Sequence, residues 1–219
     1  MAEGPRLYNL FPLLGGSVRQ WENHLPRIAA MGFDWVYLNP FHYPGFSGSL
    51  YAVKDYYRIH DLMWDGENTL EDLLKSFCWK AGQYGLSVIM DLVINHTSKD
   101  ALLAGDHPEW YLYEHDGSLR SPRAIDPADA RNVTVWGDLA EINYHDPAHH
   151  DGLIGYFGEM MGHFIDCGIR GFRCDAAYLV PPEVWSRLIS FARSKRNDAI
   201  FFAETLGCRA ALLNPAVHP

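Results

Sequence analysis

The sequence predicts an α/β fold in which parallel strands alternate with helices. Apolar residues recur with helical spacing in four segments, a short apolar run follows each of them, and glycines or prolines stand between the two kinds of segment. The chain has 219 residues, 48% hydrophobic and 21% charged, which is enough for one large domain with a buried core. Such alternation is typical of a doubly wound sheet or a (β/α)8 barrel.

The first third of the chain contains two strands and one helix. Residues 7–11 read as the opening strand. Apolar side chains over residues 18–29 repeat with the helical period, and Gly32 follows as a stop signal. Residues 33–38 then form a short apolar run, which predicts a buried strand.

The next helix and strand give the strongest pattern. A helical stripe over residues 70–81 is closed by Gly85. The almost continuous apolar run at residues 86–93 follows, and such a run is typical of a parallel strand covered on both faces. These residues therefore predict the third strand of the sheet.

The last third of the chain repeats the pattern twice. A stripe over residues 153–165 predicts a helix that ends at Gly168, and residues 169–175 predict the fourth strand. Residues 184–192 form another helical stripe after two prolines, and residues 199–203 predict the fifth strand. No GxGxxG or P-loop motif follows the first strand, so the nucleotide-binding forms of the fold lose support.

One segment interrupts the alternation. Residues 97–147 are rich in Asp, His, Pro and Trp and show no sustained period. A long connection of this kind is typical of a functional excursion. We therefore expect a small inserted domain after the third strand, which contributes part of a binding surface.

Composition excludes several classes of partner. The net charge of −9 disfavours nucleic acid or an anionic membrane surface as the partner, because both require a positive patch. No apolar run approaches the roughly 20 residues of a membrane span, and the first residues lack the features of a signal peptide, so we expect a cytosolic protein. Aromatic residues make up 14%, a hint of a sugar-binding cleft. The cysteines form no CxxC pair and are expected to be reduced core residues: Cys78, Cys167, Cys174 and Cys208.

Polar clusters stand at the carboxyl ends of three predicted strands, the edge where barrel enzymes build their active sites. Asp91 lies within the third strand, Arg173 and Asp175 end the fourth, and Glu204 follows the fifth. Because side chains alternate along a strand, Arg173 and Asp175 point to the same side. We expect the cation to keep the Asp175 carboxylate ionised.

Two carboxyl groups at neighbouring strand ends suit the cleavage of glycosidic bonds. In a retaining mechanism one carboxylate attacks the anomeric carbon while the other carboxyl protonates the leaving oxygen. Asp175 would be the nucleophile and Glu204 the acid and base. A structural ion-pair network among Asp91, Arg173 and Asp175 at the rim of a barrel explains the same spacing equally well.

Three motifs carry a resemblance to a known family. Asp91-Leu-Val-Ile-Asn-His96, Gly171-Phe-Arg-Cys-Asp-Ala-Ala177 and Phe202-Ala-Glu-Thr205 resemble the first three signature regions of the alpha-amylase family, glycoside hydrolase family 13. Residues 32–40, 49–57 and 136–143 resemble the family's second strand, the loop after it and the short signature of its inserted domain. The resemblance covers nearly the whole chain. It implies an incomplete (β/α)8 TIM barrel, about the first five strands, organised as 1–96, the inserted 97–147, and 148–219.

The resemblance also implies roles for individual residues. Asp175 matches the nucleophile, Glu204 the acid and base, and Arg173 the cation that positions the nucleophile. Among substrate-binding positions, His96 matches a hydrogen-bond donor and Tyr51 a stacking aromatic, and Asp91 is grouped with them. Two alternatives remain open: Tyr51 could be an aromatic residue packed at the rim of the barrel, and His96 could be a capping residue.

A metal ligand is a further implication. Asn95 matches a position that ligates calcium in many members, although a turn residue bonding its own backbone is an equal alternative. No cofactor is required by the resemblance.

Three departures from the family pattern affect these expectations. Glu141 stands where many amylases have Asp, and Tyr178-Leu179 replaces a Lys-His pair after the nucleophile, so both calcium and ordinary endo-amylase specificity are in doubt. The fourth signature, an Asn-His-Asp that supplies a third carboxylate, has no counterpart, since His218-Pro219 follows the fifth strand too closely. The loops are closer to the maltosyltransferase branch that extends α-1,4-glucans.

Two readings of function follow. The first is a retaining enzyme that acts on α-glucan or maltooligosaccharide substrates by hydrolysis or transfer, with little turnover expected from these 219 residues alone. The alternative is a non-catalytic amylase-like module for glucan binding or interaction. Since the first and fifth strands present open edges, we also expect self-association or pairing with a missing C-terminal part of the barrel.

Overall fold

The computed structural model describes residues 4–125, 129 and 131–206, and the predicted alternation of strands and helices is present in it. Each predicted strand appears within a few residues of its expected bounds. The strands are β1 (Leu7–Leu10), β2 (Trp35–Leu38), β3 (His42–Pro44), β4 (Val53–Ile59), β5 (Ser87–Leu92), β6 (His96–Ser98), β7 (Arg123–Ile125), β8 (Val133–Val135), β9 (Leu139–Glu141), β10 (Gly171–Cys174) and β11 (Ile200–Ala203).

Three of the described helices have 14 to 17 residues, and the others are short. The α-helices are α1 (Pro12–Gly15), α2 (Val18–Trp21), α3 (Leu25–Ala30), α4 (Leu70–Gln83), α5 (Leu102–Asp106), α6 (His150–Asp166) and α7 (Pro182–Lys195). Short 3-10 helices lie at Glu22–His24, Asp61–Met63, Pro108–Trp110, Pro147–His149 and Ala177–Leu179.

A five-stranded sheet in the order β1-β2-β5-β10-β11 forms the centre of the fold. All four neighbouring pairs are parallel, as predicted. Parallel strands bring their carboxyl ends to one edge, so β5, β10 and β11 end side by side. Among the described strands, β1 and β11 are the outer members of this sheet.

The central strand β5 is buried on both faces. Val88, Ile89, Met90 and Leu92 are at most 1% exposed, which confirms the reading of the apolar run 86–93. Asp91 is the charged residue in this run and is 1% exposed. A carboxylate at such depth must be paired or hydrogen-bonded, so its partners decide its function.

The first predicted helix is not continuous. Residues 18–29 form α2 and α3, which are separated by the 3-10 turn Glu22–His24. Pro26 lies in the first turn of α3 and has no backbone N–H, so the regular α-helical ladder cannot pass through this position. The apolar stripe is nevertheless buried as predicted, with Val18, Trp21, Leu25 and Ile28 all at 0% exposure.

The connection after β2 is a hairpin rather than the loop expected from the sequence. Strand β3 pairs antiparallel with β4, which includes the second half of the motif at residues 49–57. Two register shifts interrupt this pairing. Such shifts break the period of two by which a strand is recognised, and the hairpin therefore gave no clear pattern.

The segment 97–147 contains short elements that pack onto the end of β5. Strand β6 pairs with β9, and β7 pairs with β8. The Tyr144 hydroxyl donates to the Ile94 carbonyl at 2.8 Å, and the hydroxyls of Thr97 and Tyr111 lie 3.0 Å apart. The first contact holds the segment against the edge where the strands end, and the second lies within the segment.

Thiols and membrane segments complete the description of the fold. Cys78, Cys167 and Cys174 are free, and Cys208 lies outside the described residues. In the part of the chain that the structure describes, no helix has the length and apolar character needed to cross a bilayer.

Candidate functional site

The predicted polar residues meet at the carboxyl ends of β5, β10 and β11. Arg173 is paired in register with Asp91 on β5. The backbone N–H of Asp175 donates to the Leu92 carbonyl at 3.0 Å, and that of Glu204 donates to the Cys174 carbonyl at 2.9 Å. The sheet therefore continues for one residue past each strand, and it fixes the main chain of both carboxyl residues.

One guanidinium contacts all three carboxylates. Arg173 Nη1 donates to Asp91 Oδ1 and Oδ2 at 2.8 and 2.9 Å and to Asp175 Oδ1 at 2.8 Å. Arg173 Nη2 lies 2.9 Å from Glu204 Oε1. Burial acts to lower the pKa of Arg173, but Asp91 and its other anionic neighbours raise it above its ordinary value. The side chain is a permanent cation at the centre of the cluster.

Asp91 lies beneath the cleft and faces protein groups. Its Oδ2 accepts hydrogen bonds from the hydroxyls of Tyr37 at 2.6 Å and Tyr51 at 3.1 Å. Asn39 Nδ2 donates to both hydroxyl oxygens, at 3.2 and 3.1 Å. Burial raises the pKa of Asp91, while Arg173 and the two tyrosines act against this rise. Arg173, Tyr37 and Tyr51 thus all donate to Asp91, and this carboxylate anchors Arg173.

The protonation of Asp175 differs from the sequence-based expectation. Arg173 does contact Asp175, but the pKa of Asp175 is raised to about 7, first by burial and then by the charge of Asp91, with Glu204 adding to the rise. The expectation that the cation keeps this carboxyl ionised was wrong because burial and the charge of Asp91 raise the pKa by more than Arg173 lowers it. Asp175 therefore titrates near neutral pH.

Glu204 is held through both carboxylate oxygens. Besides the contact of Oε1 with Arg173, Oε2 accepts a hydrogen bond from the backbone N–H of Ala176 at 2.9 Å. Its side chain is 31% exposed, whereas Asp175 is 6% exposed as a residue. The two carboxyl groups therefore bind different nitrogens of one guanidinium, and Glu204 is the more accessible of the two.

A cleft of about 730 Å³ opens above these groups. Asp175, Glu204 and Arg173 form its floor together with Tyr51 and His96. The described part of segment 97–147 supplies one wall, which includes Trp136 at 45% exposure. The lining also includes Tyr178 and Leu179, the residues that replace the expected Lys-His pair, at 38% and 46% exposure. Exposed aromatic faces beside carboxyl groups suit a polyhydroxylated ligand.

His96 is buried in the cleft wall without a protein partner of good geometry for either ring nitrogen. It is 6% exposed, and burial lowers its pKa to about 4. A neutral imidazole has one donor and one acceptor nitrogen, and His96 is among the residues that line the cleft. Tyr51 lies nearby, with the Arg173 guanidinium carbon 5.9 Å from its ring centroid.

The groups around Asn95 do not fit a calcium site. Asn95 Oδ1 is buried without a hydrogen-bond partner, but Glu141, the carboxylate beside it, is ion-paired with Arg120 Nε at 2.9 Å. Calcium requires six to eight oxygen ligands, and a guanidinium next to the single carboxylate would repel it. Over residues 4–125, 129 and 131–206, no three His, Cys, Asp or Glu side chains form a metal-binding group.

Four residues of the site were not singled out by the sequence. Tyr37 and Asn39 lie inside a recognised motif, but only their contacts identify them as partners of Asp91. Ala176 contributes through its backbone, which has no sequence signature. Trp136 opens a recognised motif, and its exposure in the cleft is the only distinguishing signal.

Comparison with known proteins supports the sequence resemblance. Residues 9–122 match the model of the glucanotransferase domain of glycogen debranching enzyme. An alpha-1,4-glucan:maltose-1-phosphate maltosyltransferase of Streptomyces coelicolor is 31% identical over 206 residues, which cover 86% of this chain and 29% of that protein. The corresponding enzyme of Mycolicibacterium smegmatis is 30% identical over 82% of this chain and 26% of its own length.

Solved structures give the same picture of the fold. An alpha-amylase from Lactobacillus plantarum superposes with a TM-score of 0.74 at 26% identity, covering 92% of this chain and 45% of that one. A maltogenic alpha-amylase from Thermotoga neapolitana has a TM-score of 0.74 at 28% identity, covering 92% and 46%. The chain thus spans less than a third of the maltosyltransferases and less than half of the amylases that it matches.

Proposed function

Because the chain belongs to the alpha-amylase family, glycoside hydrolase family 13, we propose that it provides the carboxyl pair of a retaining enzyme acting on α-1,4-glucans. The observation that supports this most directly is the placement of Asp175 and Glu204 on one guanidinium at the floor of one cleft. Hydrolysis and transfer use the same first step, and the similarity to maltosyltransferases favours transfer to a glucan acceptor.

In the first step, Asp175 is the nucleophile. An oxygen of its carboxylate forms a bond to the anomeric carbon while the bond from that carbon to the glycosidic oxygen breaks. Glu204 gives its proton to the departing oxygen, so that the leaving sugar departs as a neutral alcohol. The products are a glycosyl ester on Asp175 and an ionised Glu204.

In the second step, the ester is transferred to an acceptor. Glu204 removes a proton from a water or sugar hydroxyl, whose oxygen bonds to the anomeric carbon and releases the Asp175 carboxylate. The greater exposure of Glu204 supports this role, since it has to meet both the leaving group and the acceptor. Asp175 must be ionised to attack, and its pKa of about 7 limits the reaction on the acid side.

The remaining residues bind and position. His96 lines the cleft with a neutral ring, and we infer that it binds a hydroxyl of the sugar. Tyr51 lies at the same end of the cleft and supplies an apolar face. Asp91 is a positioning residue rather than a substrate contact, because its oxygens are taken by Arg173, Tyr37 and Tyr51.

We further infer that the five-stranded sheet is part of a (β/α)8 barrel, with residues 97–147 as its inserted domain between parts 1–96 and 148–219. The long excursion beside the strand ends supports this division. Among the described strands, β1 and β11 have unpaired edges, which favour association with a second copy or with further barrel strands. Sedimentation velocity should detect oligomers, and a concentration-independent monomer would contradict this inference.

A binding module without turnover is the second candidate. One observation favours it: both oxygens of Glu204 are already bound by protein groups. Such a module would bind maltooligosaccharides in the same cleft without forming a covalent intermediate.

Covalent labelling distinguishes these functions. A 2-fluoro-α-maltosyl fluoride reacts with the nucleophile without help from an acid, since fluoride is a good leaving group. We expect mass spectrometry to find the maltosyl ester on the peptide containing Asp175, and no ester in D175N. E204Q should still be labelled but should not cleave a maltooligosaccharide.

The exposed Asp106 provides the matched control for this experiment, because D106N changes an equivalent charge far from the cluster. Its labelling should equal that of the unmodified chain. Binding of maltoheptaose without any ester on Asp175 would exclude the nucleophile and favour the binding module.

A further inference from the structure

Ala176 has an unusual backbone conformation directly after Asp175. With φ of 40° and ψ of 47°, it is the one residue other than glycine with positive φ among residues 4–125, 129 and 131–206. The side chain of an L-residue crowds the neighbouring carbonyl in this left-handed region, so it is disfavoured unless the surroundings enforce it. The surroundings of Ala176 therefore indicate what the conformation achieves.

Two successive amides point at the same residue from this turn. The N–H of Ala176 donates to Glu204 Oε2 at 2.9 Å, and the N–H of Ala177 donates to the main-chain carbonyl of Glu204 at 3.2 Å. In an extended chain, successive N–H groups point to opposite sides. A left-handed residue instead turns neighbouring amides toward one side, where they form an anion-binding concavity.

The turn also links Asp175 to Glu204 directly, because Ala176 follows Asp175 in the chain and is hydrogen-bonded to Glu204. Asp175 is adjacent to Ala176 in the chain, and its own N–H is fixed to the Leu92 carbonyl at 3.0 Å. On the other side, the Leu179 N–H donates to the Ala176 carbonyl at 2.8 Å and so closes the following 3-10 turn. The chain at Ala176 is thus constrained on both sides, and Glu204 is attached to it.

We propose that the left-handed backbone of Ala176 is a positioning device, which fixes the carboxyl of Glu204 relative to that of Asp175. This inference rests on the proposed function, since the separation of the carboxyl groups decides whether a glycosidase retains or inverts configuration. Arg173 holds Glu204 Oε1 and Ala176 holds Oε2, so the carboxyl group cannot rotate without losing one contact. The residue at position 176 must accept positive φ and remain small, because it also lines the cleft.

The ligand-free chain provides a test by NMR. In the unmodified protein, the 15N nucleus of Ala176 should show a coupling across the hydrogen bond to the side-chain carbonyl carbon of Glu204. E204Q should shift the amide proton of Ala176 by several tenths of a ppm. The proposal would be overturned if the Ala176 amide shows no coupling and its chemical shift does not respond to E204Q. Neither protein in this test is altered at position 176.

Substitutions at Ala176 give a second test. A176G and A176N tolerate positive φ, whereas the β-branched side chain of A176V does not. Since the Glu204 charge raises the pKa of Asp175, displacement of Glu204 in A176V should lower that pKa by roughly half a unit or more. A176G and A176N should keep the pKa near that of the unmodified chain, with the resonance assigned by D175N.

The two tests separate this inference from the proposed function. An unchanged Asp175 pKa in folded A176V, or an equal change in A176G, would overturn the positioning role even where the Asp175 ester forms. If the Ala176 amide responds to E204Q but no ester forms on Asp175, the turn positions Glu204 in a site that lacks the proposed chemistry. Neither measurement depends on turnover.

Discussion

Arg173 Nη1 donates hydrogen bonds to both carboxylate oxygens of Asp91, at 2.8 and 2.9 Å, and the two residues are paired in register on neighbouring strands. The Asp91 side chain has no exposed surface, and that of Arg173 is 16% exposed. The pair therefore fixes the position of the Arg173 guanidinium. The contacts of Arg173 with Asp175 and Glu204 both depend on it.

Removal of the Asp91 charge should be strongly destabilising. We expect D91N to lower the free energy of unfolding by about 1.5 to 3 kcal/mol, because Arg173 loses its charged hydrogen bonds to Asp91 but keeps its contacts with Asp175 and Glu204. R173M should have a comparable effect, and the double variant should cost less than the sum of the two, as measured by urea unfolding. The exposed pair of Arg6 and Asp34 is the matched control, and its coupling should stay below about 1 kcal/mol. Additive effects at Asp91 and Arg173 would contradict the anchoring role.

Asp175 should make the stability of the protein fall as pH rises. Its pKa of about 7 lies above the ordinary value, so the folded chain binds more protons than the unfolded chain between about pH 4 and 7. Stability is therefore lost over this range, and the neutral side chain of D175N avoids the loss. We expect D175N to be more stable than the unmodified chain by roughly 2 to 4 kcal/mol at pH 8, with little difference at pH 4.

Thermal and urea unfolding at both pH values measure this effect. D106N again serves as the control, because it removes an exposed carboxylate and should give no such pH-dependent gain. A D175N variant that is equally stable or less stable than the unmodified chain at pH 8 would show that Arg173 keeps Asp175 ionised, as the sequence alone suggested.

The sequence predicted the sheet and the convergence of the site well for one physical reason. Burial on both faces leaves a continuous apolar run, and the polar residues that interrupt or end such runs in parallel strands must meet at one edge. Asp91, Arg173, Asp175 and Glu204 could therefore be found before any coordinates. The hairpin of β3 and β4 could not, because its register shifts remove the periodic signal.

The electrostatics and backbone of the site depend on contacts that no pattern records. The pKa of Asp175 depends on its burial and on the charges of Asp91, Arg173 and Glu204, which are contributed by three strands together. The left-handed turn at Ala176 is equally hidden, since alanine has no preference for that conformation. Glycine or asparagine at this position would have indicated a left-handed turn from the sequence alone.

Calcium should have no effect on the stability of this chain. The Glu141 carboxylate is already ion-paired with Arg120. We therefore expect about 5 mM calcium or a chelator to change the melting temperature by less than about 1 °C. R120Q should lower stability by about 1 kcal/mol by removing the partner of Glu141, more than R123Q at the more exposed pair with Glu114. If calcium raises the melting temperature of the unmodified chain by several degrees, then the groups around Asn95 bind the ion despite the ion pair of Glu141 with Arg120.

Trp136 should contribute strongly to sugar binding in the cleft. Trp136 is 45% exposed and lines the cleft, so a bound glucan can cover apolar surface that is now in water. We expect W136A to weaken maltoheptaose binding roughly tenfold, about 1.4 kcal/mol, in isothermal titration calorimetry. Trp79 on α4 is 65% exposed and lies outside the cleft lining, so W79A should leave the affinity unchanged.

Tryptophan fluorescence reports on the same contact. Maltoheptaose should change the emission of the unmodified chain and of W79A, and it should change the emission of W136A much less. Equal losses of affinity in W136A and W79A would place the sugar elsewhere on the surface.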